Sequence, residues 1–273
     1  MTQTEFKALN GDTEHDSLHL PRILCLHGGG VNAEVFKLQC RGIITRLKST
    51  FRFVFMQAPF LSAPHPAIVS VYGDMGPFRR WLRWQPDHPE IEPEAAAEEI
   101  RYQCRWTMED DPGTGEWVGI LGFSQGAKIA ASLLWTQQQV TAQLGAEESL
   151  THFKFGIIMA GRGPVVMLDY RVQQPRHVAD AATLSSDFDD WPETNEGDHV
   201  LSIPSLHVHG LQDPGIEQHQ MLVEEYCKTG TTRLVEWDGG HRIPIKTHDV
   251  GAVAGQILEL ARDVSERERV MST

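Results

Sequence analysis

The sequence predicts an α/β chain, with a mostly parallel central sheet flanked by helices and two cap-like insertions. Three observations carry that prediction. Short apolar runs of strand length recur along the chain, several closed by glycine-containing turns. Segments with helical spacing of apolar residues lie between them, the alternation that builds parallel βαβ units. Two stretches, about 58–93 and 162–200, break the rhythm with prolines, acids and aromatics, as lids or binding loops do.

The elements follow in order. Residues 1–20 are polar and acidic and read as a flexible lead-in. The run from Pro21 to His27 (PRILCLH) is an apolar strand closed by three glycines. Asn32 to Ser49 reads as one helix, with Val35, Leu38, Ile43 and Leu47 near helical spacing and Asn32 as its N-cap. Phe51 to Met56 (FRFVFM) is the second strand. The first insertion holds seven prolines together with Phe60, Tyr72, Phe78, Trp81 and Trp84. Pro93 to Met108 is helical, with proline in the first turn, where its missing N–H costs nothing.

Glu116 to Phe123 (EWVGILGF) is an apolar strand that runs directly into Ser124-Gln125-Gly126. Ala127, Ala130, Ala131 and Leu134 then keep helical spacing with small side chains, suited to a helix packed closely on a sheet. Phe153 to Met159 is a strand, and the second insertion follows with Trp191. Ile203 to His209 is a strand, Gly215 to Lys228 a helix, Thr232 to Trp237 a strand and Thr247 to Arg262 a helix. No repeat or shift in composition divides the chain. Residues 21–265 are therefore expected to form one domain, with 266–273 as a charged tail.

Composition removes several function classes. Lys and Arg number 24 against 37 Asp and Glu, a net charge of −13. Nucleic-acid affinity comes largely from cations on phosphates, so neither nucleic acid nor an anionic membrane surface is an expected partner. Cys25, Cys40, Cys104 and Cys227 are scattered with no CxxC pair, which argues against a zinc ribbon or redox dithiol. The first twenty residues lack the basic and apolar regions of a secretory leader, so a reducing cytoplasm is the expected location.

The chemistry concentrates in Gly122-Phe123-Ser124-Gln125-Gly126, a G-x-S-x-G pattern between an apolar strand and an Ala-rich helix. In that setting the glycines allow a strained strand-to-helix turn that projects the serine hydroxyl above the sheet. A serine hydroxyl is a weak nucleophile and needs a base, which in turn needs an orienting acid. Asp213 and His241 each sit just past a strand on a glycine-containing turn, in the chain order this arrangement uses. Asp213 also reads as a helix N-cap. His207, His209, His219 and His248 compete with His241, but His207 and His209 belong to the strand itself. The oxyanion is expected on the amides of Gln125 and Gly29, the latter in His27-Gly28-Gly29-Gly30. That glycine run fails both the dinucleotide fingerprint and the phosphate-loop pattern. No HExxH or calcium-loop spacing occurs, and neither metal nor cofactor is expected.

With these residues placed, the chain resembles the fungal-type "family of serine hydrolases" branch of the α/β-hydrolases. The likeness runs from Arg22 to about Ala261. It rests on Leu26-His27-Gly28-Gly29-Gly30, Gln57-Ala58-Pro59-Phe60, Gly76-Pro77-Phe78-Arg79-Arg80-Trp81, the Ser124 pentapeptide, His209-Gly210-Leu211-Gln212-Asp213-Pro214 and Gly239-Gly240-His241. The resemblance implies an α/β-hydrolase fold, with Ser124 as nucleophile, Asp213 as orienter and His241 as base. Within that family the chain is similar to hydrolases that accompany fungal polyketide synthases. This implies release of an acyl chain from a thioester on a carrier protein, or cleavage of a related ester. A carboxylesterase or lactonase acting on free small molecules, with no carrier partner, is an alternative. A non-hydrolytic binding protein on the same fold is the alternative from another class, opposed by the intact Ser, Asp and His.

Both insertions are expected to shape the substrate pocket, with Phe60, Tyr72, Phe78, Trp81, Trp84 and Trp191 as apolar walls. An acidic chain can meet an acidic carrier protein only through a local basic patch. Arg79, Arg80 and Arg83 are the cluster on offer.

Overall fold

The computed structural model of the chain describes residues 17–271. Residues 1–16 of the expected lead-in and 272–273 of the expected tail lie outside them. The chain begins with β1 (Arg22–Leu26), α1 (Ala33–Gln39), α2 (Arg41–Leu47) and β2 (Arg52–Met56). The first insertion then contributes β3 (Phe60–Ser62), α3 (Val69–Tyr72) and β4 (Phe78–Arg80). Next come α4 (Pro93–Asp110), β5 (Trp117–Phe123), α5 (Gln125–Gln143) and β6 (Phe155–Met159). The chain closes with β7 (Ser205–Gly210), α6 (Ile216–Tyr226), β8 (Thr232–Trp237) and α7 (Thr247–Met271).

The central sheet has the order β2-β1-β5-β6-β7-β8, and every pairing in it is parallel. Two of its inner strands, β6 and β7, are buried along their whole length. A parallel sheet covered on both faces needs such unbroken apolar runs. Alternation still sorts the side chains. Leu24, Leu26 and Ile120 face the core shared with Ile100 of α4 and Ile129 and Leu133 of α5. Ile23, Cys25 and Leu121 face the core shared with Phe36 of α1, Ile43 of α2 and Val253 and Ile257 of α7.

Three expectations are corrected. The single helix expected over 32–49 is two helices broken at Cys40, whose φ of −81° and ψ of 0° take it off the helical path. Asn32 does cap the first, its side chain accepting from the Val35 amide at 2.9 Å. The segment expected as a charged tail continues α7 through Met271, with the Lys154 ammonium at 2.7 Å from Glu268. Residues 17–20 are not loose either. The Thr114 amide donates to the Leu18 carbonyl at 2.6 Å, and Arg52 reaches the Ser17 hydroxyl at 3.1 Å.

The insertions part company. In the first, β3 and β4 form an antiparallel pair. β4 also bonds to the loop after β1, through Gly30 N–H to Arg79 O at 2.8 Å and Arg79 N–H to Val31 O at 2.7 Å. The second has neither helix nor strand among its described residues, yet Val165, Val166, Met167 and Leu168 are all buried in the main core. The α5 side chains hold it there. Val166 N–H donates to Ser132 Oγ at 2.9 Å, and Trp135 Nε1 and Gln138 Nε2 donate to the carbonyls of Asp198 and Val200 at 2.8 and 2.9 Å. The expectation that this segment forms a lid is overturned, because its backbone is tied to a buried helix.

Candidate active site

Ser124 stands between β5 and α5 with φ 54° and ψ −118°, a strained conformation for a residue with a side chain. Contacts on both sides enforce it. A Cβ on Gly122 would lie 2.2 Å from the Gly126 carbonyl oxygen, and one on Gly126 would lie 2.2 Å from the Leu26 carbonyl oxygen. Only glycine fits either place, so β5, β1 and α5 converge under the serine. Its own amide donates to Met159 O at 2.9 Å and joins the turn to β6.

Asp213 and His241 arrive from the ends of β7 and β8. The two loops nearly touch, since a Cβ on Gly210 would meet the Gly239 carbonyl oxygen at 2.4 Å. His241 Nδ1 lies 2.6 Å from Asp213 Oδ2, and His241 Nε2 lies 2.9 Å from Ser124 Oγ. An ionised carboxylate only accepts, so the imidazole proton sits on Nδ1 and Nε2 is free to accept from the serine. Asp213 Oδ1 accepts from the Gly215 amide at 2.9 Å in the turn before α6; Gly215, not Asp213, is the N-cap of that helix. Burial alone would raise this carboxyl. The Gly215 amide and His241 outweigh it and hold Asp213 below the usual carboxylate range. Of the rival histidines, His207, His209 and His219 are buried, and His248 is exposed and pairs with Asp249.

His27 fastens the glycine loop. Its Nε2 accepts from the Ala58 amide at 3.1 Å, which leaves the proton on Nδ1 for the Gly28 carbonyl at 2.7 Å. Burial lowers this imidazole to about 4 and keeps it neutral. Gly29 lines the cleft beside Ser124, backed by Trp84, whose ring would lie 2.7 Å from a Cβ at that position. Among the described residues neither the Gly29 nor the Gln125 amide has an acceptor.

Gln125 has a second task that its motif position did not reveal. Its Oε1 accepts from the Trp81 and Leu82 amides at 2.7 and 3.3 Å, and its Nε2 donates to Leu82 O at 3.0 Å. One side chain thus clamps the first insertion onto the residue after the serine.

A cleft of about 340 Å³ opens over Ser124 and His241. Its walls come from Ile68, Val71 and Tyr72 on one side and Ile243 and Ile245 on the other, with Arg41 and Arg242 also on its lining. Of the six residues expected as walls, Tyr72 is in place. The others are corrected. Trp81 is wholly buried and donates from Nε1 to His27 O at 2.6 Å. Phe78 packs in a small core with Val31, Val35 and Ile68. Phe60 lies under the Arg80 guanidinium, and Trp84 backs the Gly29 loop. Trp191 is partly buried and packs on the main core near Gly163. Large aromatics near a site are drawn into the core by the area they bury. Smaller aliphatic residues are left at the mouth, with Val71 71% and Ile245 58% exposed. The sequence did carry a signal for them, namely Val69-Ser-Val-Tyr72 among prolines and Ile243-Pro-Ile245 directly after His241.

The basic cluster is corrected too. Arg79 turns to the Ala58 and Pro59 carbonyls, Arg80 is buried, and Arg83 sits near Glu90. By contrast, Arg41 and Arg242 line the cleft, and among the described residues neither has an ion-pair partner.

A family model described as "Serine hydrolase (FSH1)" matches residues 17–253. The chain belongs to this serine hydrolase family. Esterase claE of Penicillium crustosum is 47% identical over 254 residues, covering 92% of this chain and 96% of that protein. Esterase citA of Monascus ruber is 48% identical over 264 residues, covering 96% and 98%. Among solved structures, TT1662 of Thermus thermophilus aligns with a TM-score of 0.50 at 14% identity, covering 89% of this chain and 90% of that one, a likeness of fold. This serine hydrolase is thus an enzyme on an α/β-hydrolase scaffold. Among its described residues no helix is long and apolar enough to cross a membrane.

Proposed function

We propose that the protein is an esterase that works through an acyl-enzyme on Ser124, with His241 as general base and Asp213 as its orienter. The observation that carries this reading is the hydrogen-bond chain from Ser124 Oγ through both nitrogens of His241 to Asp213, opening into a cleft. The relatives named as esterases support it. Ser124 Oγ attacks the acyl carbonyl as its proton passes to His241 Nε2. Asp213, already ionised and hydrogen-bonded to Nδ1, stabilises the imidazolium that forms. The oxyanion rests on the Gly29 and Gln125 amides. His241 returns the proton to the leaving group and then takes one from water to clear the acyl-enzyme.

The aliphatic cleft walls favour an apolar acyl or aryl group. The finer reading is a thioester held on a carrier arm, as in polyketide release. Arg41, which donates to the Leu38 carbonyl, and Arg242, which lies over the Trp237 ring, favour it, because cleft guanidiniums with no carboxylate partner among the described residues suit a phosphate or carboxylate on the substrate. Docking of the carrier protein through Arg79, Arg80 and Arg83 is dropped, since Arg80 is buried and Arg79 is engaged with backbone carbonyls.

The test is intact-mass spectrometry after a fluorophosphonate probe, followed by turnover on matched esters and thioesters. One adduct on the wild type, absent in Ser124→Ala, with kcat lowered roughly 10⁴-fold or more, is the expected result. A folded wild type that takes no adduct would move the binding-protein reading to the front. A higher kcat/KM for the thioester of a matched pair would favour the carrier-arm reading over the simple ester.

A further inference from the structure

We propose that Asp213, His219 and His241 form a binding site for a divalent transition-metal ion of the zinc type, and that its occupancy switches the enzyme off. The inhibitory half of this inference rests on the reading of His241 as the base. The binding half does not.

Among the described residues, these three form one group whose ligand atoms all lie within 4.8 Å of one another. Two imidazoles and a carboxylate are a donor set that zinc uses, with a fourth position left for water. Zinc holds nitrogen and oxygen at about 2.0–2.2 Å, so tetrahedral ligand atoms stand about 3.3 Å apart. The separations here fall on either side of that value. His241 Nδ1 is 2.6 Å and His219 Nε2 is 3.9 Å from Asp213 Oδ2. The third separation lies within 4.8 Å, so changes of up to about 1.5 Å in these separations would bring the three to coordinating distance.

His219 supplies the independent reason to expect a ligand. It lies on α6, is fully buried, and has no hydrogen-bond partner on either ring nitrogen. Buried polar groups are rarely left unpaired. His219 is aimed at a carboxylate too distant for a hydrogen bond. His209 on β7 repeats the pattern, buried with both nitrogens unpartnered and its ring centre 5.5 Å from that of His219. The opposing charge is Arg162, whose Nη2 lies 3.9 Å from the other Asp213 oxygen with its side chain 45% exposed. His241, whose side chain is 26% exposed, is the member of the three that reaches solvent.

Inhibition follows from the imidazole's single proton. Coordination through Nδ1 uses the lone pair there and leaves the neutral ring's proton on Nε2. That nitrogen then faces Ser124 Oγ as a donor and cannot take the hydroxyl proton. The Nδ1–H bond breaks and an Nε2–H bond forms by proton exchange with solvent, with no net change in protons; removing the ion with a chelator reverses the exchange and restores the resting tautomer.

The experiment is isothermal titration of the full chain with zinc chloride in metal-free buffer, alongside hydrolysis of a p-nitrophenyl ester. The expected result is one zinc bound per chain, at least tenfold inhibition at saturation, and full recovery with EDTA. His219→Asn is expected to keep the zinc-free rate within about threefold while its zinc affinity falls about 100-fold; His219→Gln replaces it if the asparagine variant does not fold. Ser124→Ala, inactive on the proposed function, should bind zinc like the wild type, which separates failure of this site from failure of the serine reading. A wild type that binds no zinc, or binds it without inhibition, overturns the proposal. So does zinc affinity unchanged in the folded His219 variant.

Discussion

The two insertions look alike in the sequence and do opposite work. Each is an irregular stretch with prolines and tryptophan between a strand and the next regular element. The second carries Val165, Val166, Met167 and Leu168 into the main core and is held by α5 side chains that include Lys128, Ser132, Trp135, Gln138, Gln139 and Gln143. The first is rooted at Ala58 by His27 and clamped at Trp81 and Leu82 by Gln125, while its tip leaves Val71 exposed on the lining of the cleft over Ser124. Irregular backbone becomes structural where a neighbouring helix can satisfy its polar groups and its apolar run faces a core. In the first insertion it is tied to the glycine loop and to Asn32 by hydrogen bonds, and it leaves Val71 and Tyr72 lining the cleft.

The largest effect should come from the second insertion. Leu168→Ala removes a fully buried side chain and is expected to cost about 2–5 kcal/mol in urea unfolding, with KM unchanged in the folded fraction. A shift in KM of more than about threefold would show that this segment reaches the cleft after all.

Acid attacks the root of the first insertion. In the unfolded chain His27 takes a proton near pH 6.5, but in the fold burial delays this to about 4. The unfolded state therefore binds more protons across that interval. Stability is full above pH 6.5 and falls as pH drops toward 4, by up to about 1.4 kcal/mol per pH unit from this residue. His27→Gln should flatten the measured slope by that amount, and an unchanged slope would remove His27 from the account.

Gln125→Ala comes next. It strips acceptors from the Trp81 and Leu82 amides, and an unsatisfied buried donor costs about 1–3 kcal/mol. The Ser124 turn is built from backbone and glycine contacts, so fluorophosphonate labelling should persist while kcat/KM falls tenfold or more. Loss of labelling would mean that the side chain also supports the serine.

Val71→Ser is the mildest change. Its position is 71% exposed, so stability should move by less than about 0.5 kcal/mol. KM for a long-chain ester should rise severalfold while KM for an acetyl ester stays put. Equal shifts in both would dissociate the tip of the first insertion from acyl-chain recognition.

Much of this contrast could not be read from residue order. The six central strands were legible because a parallel sheet covered on both faces demands apolar runs, and such runs are local. Ser124 was legible because its turn needs glycine on either side, again a local demand. The partition of aromatics was not. Trp81 and Trp191 have the composition of a pocket wall, and only the packing of α5 against both insertions draws them into the core. The break at Cys40 escaped because apolar spacing runs on through it.

The sequence by itself determined the strand order of events that ends in Ser124, Asp213 and His241, since each residue must follow a strand and the motif fixes the first. Tertiary structure alone decided that β5, β7 and β8 end at the same edge of one parallel sheet, with β6 between β5 and β7, so that residues far apart in the chain stand 2.6 and 2.9 Å apart. It also decided that Gln125 clamps one insertion, that α5 swallows the other, and that His219 points at Asp213 from behind. The physical reason is range. Turn chemistry and periodicity act over a few residues. Burial of a side chain, and the partner its polar atoms find, depend on which distant segments fill the space around it.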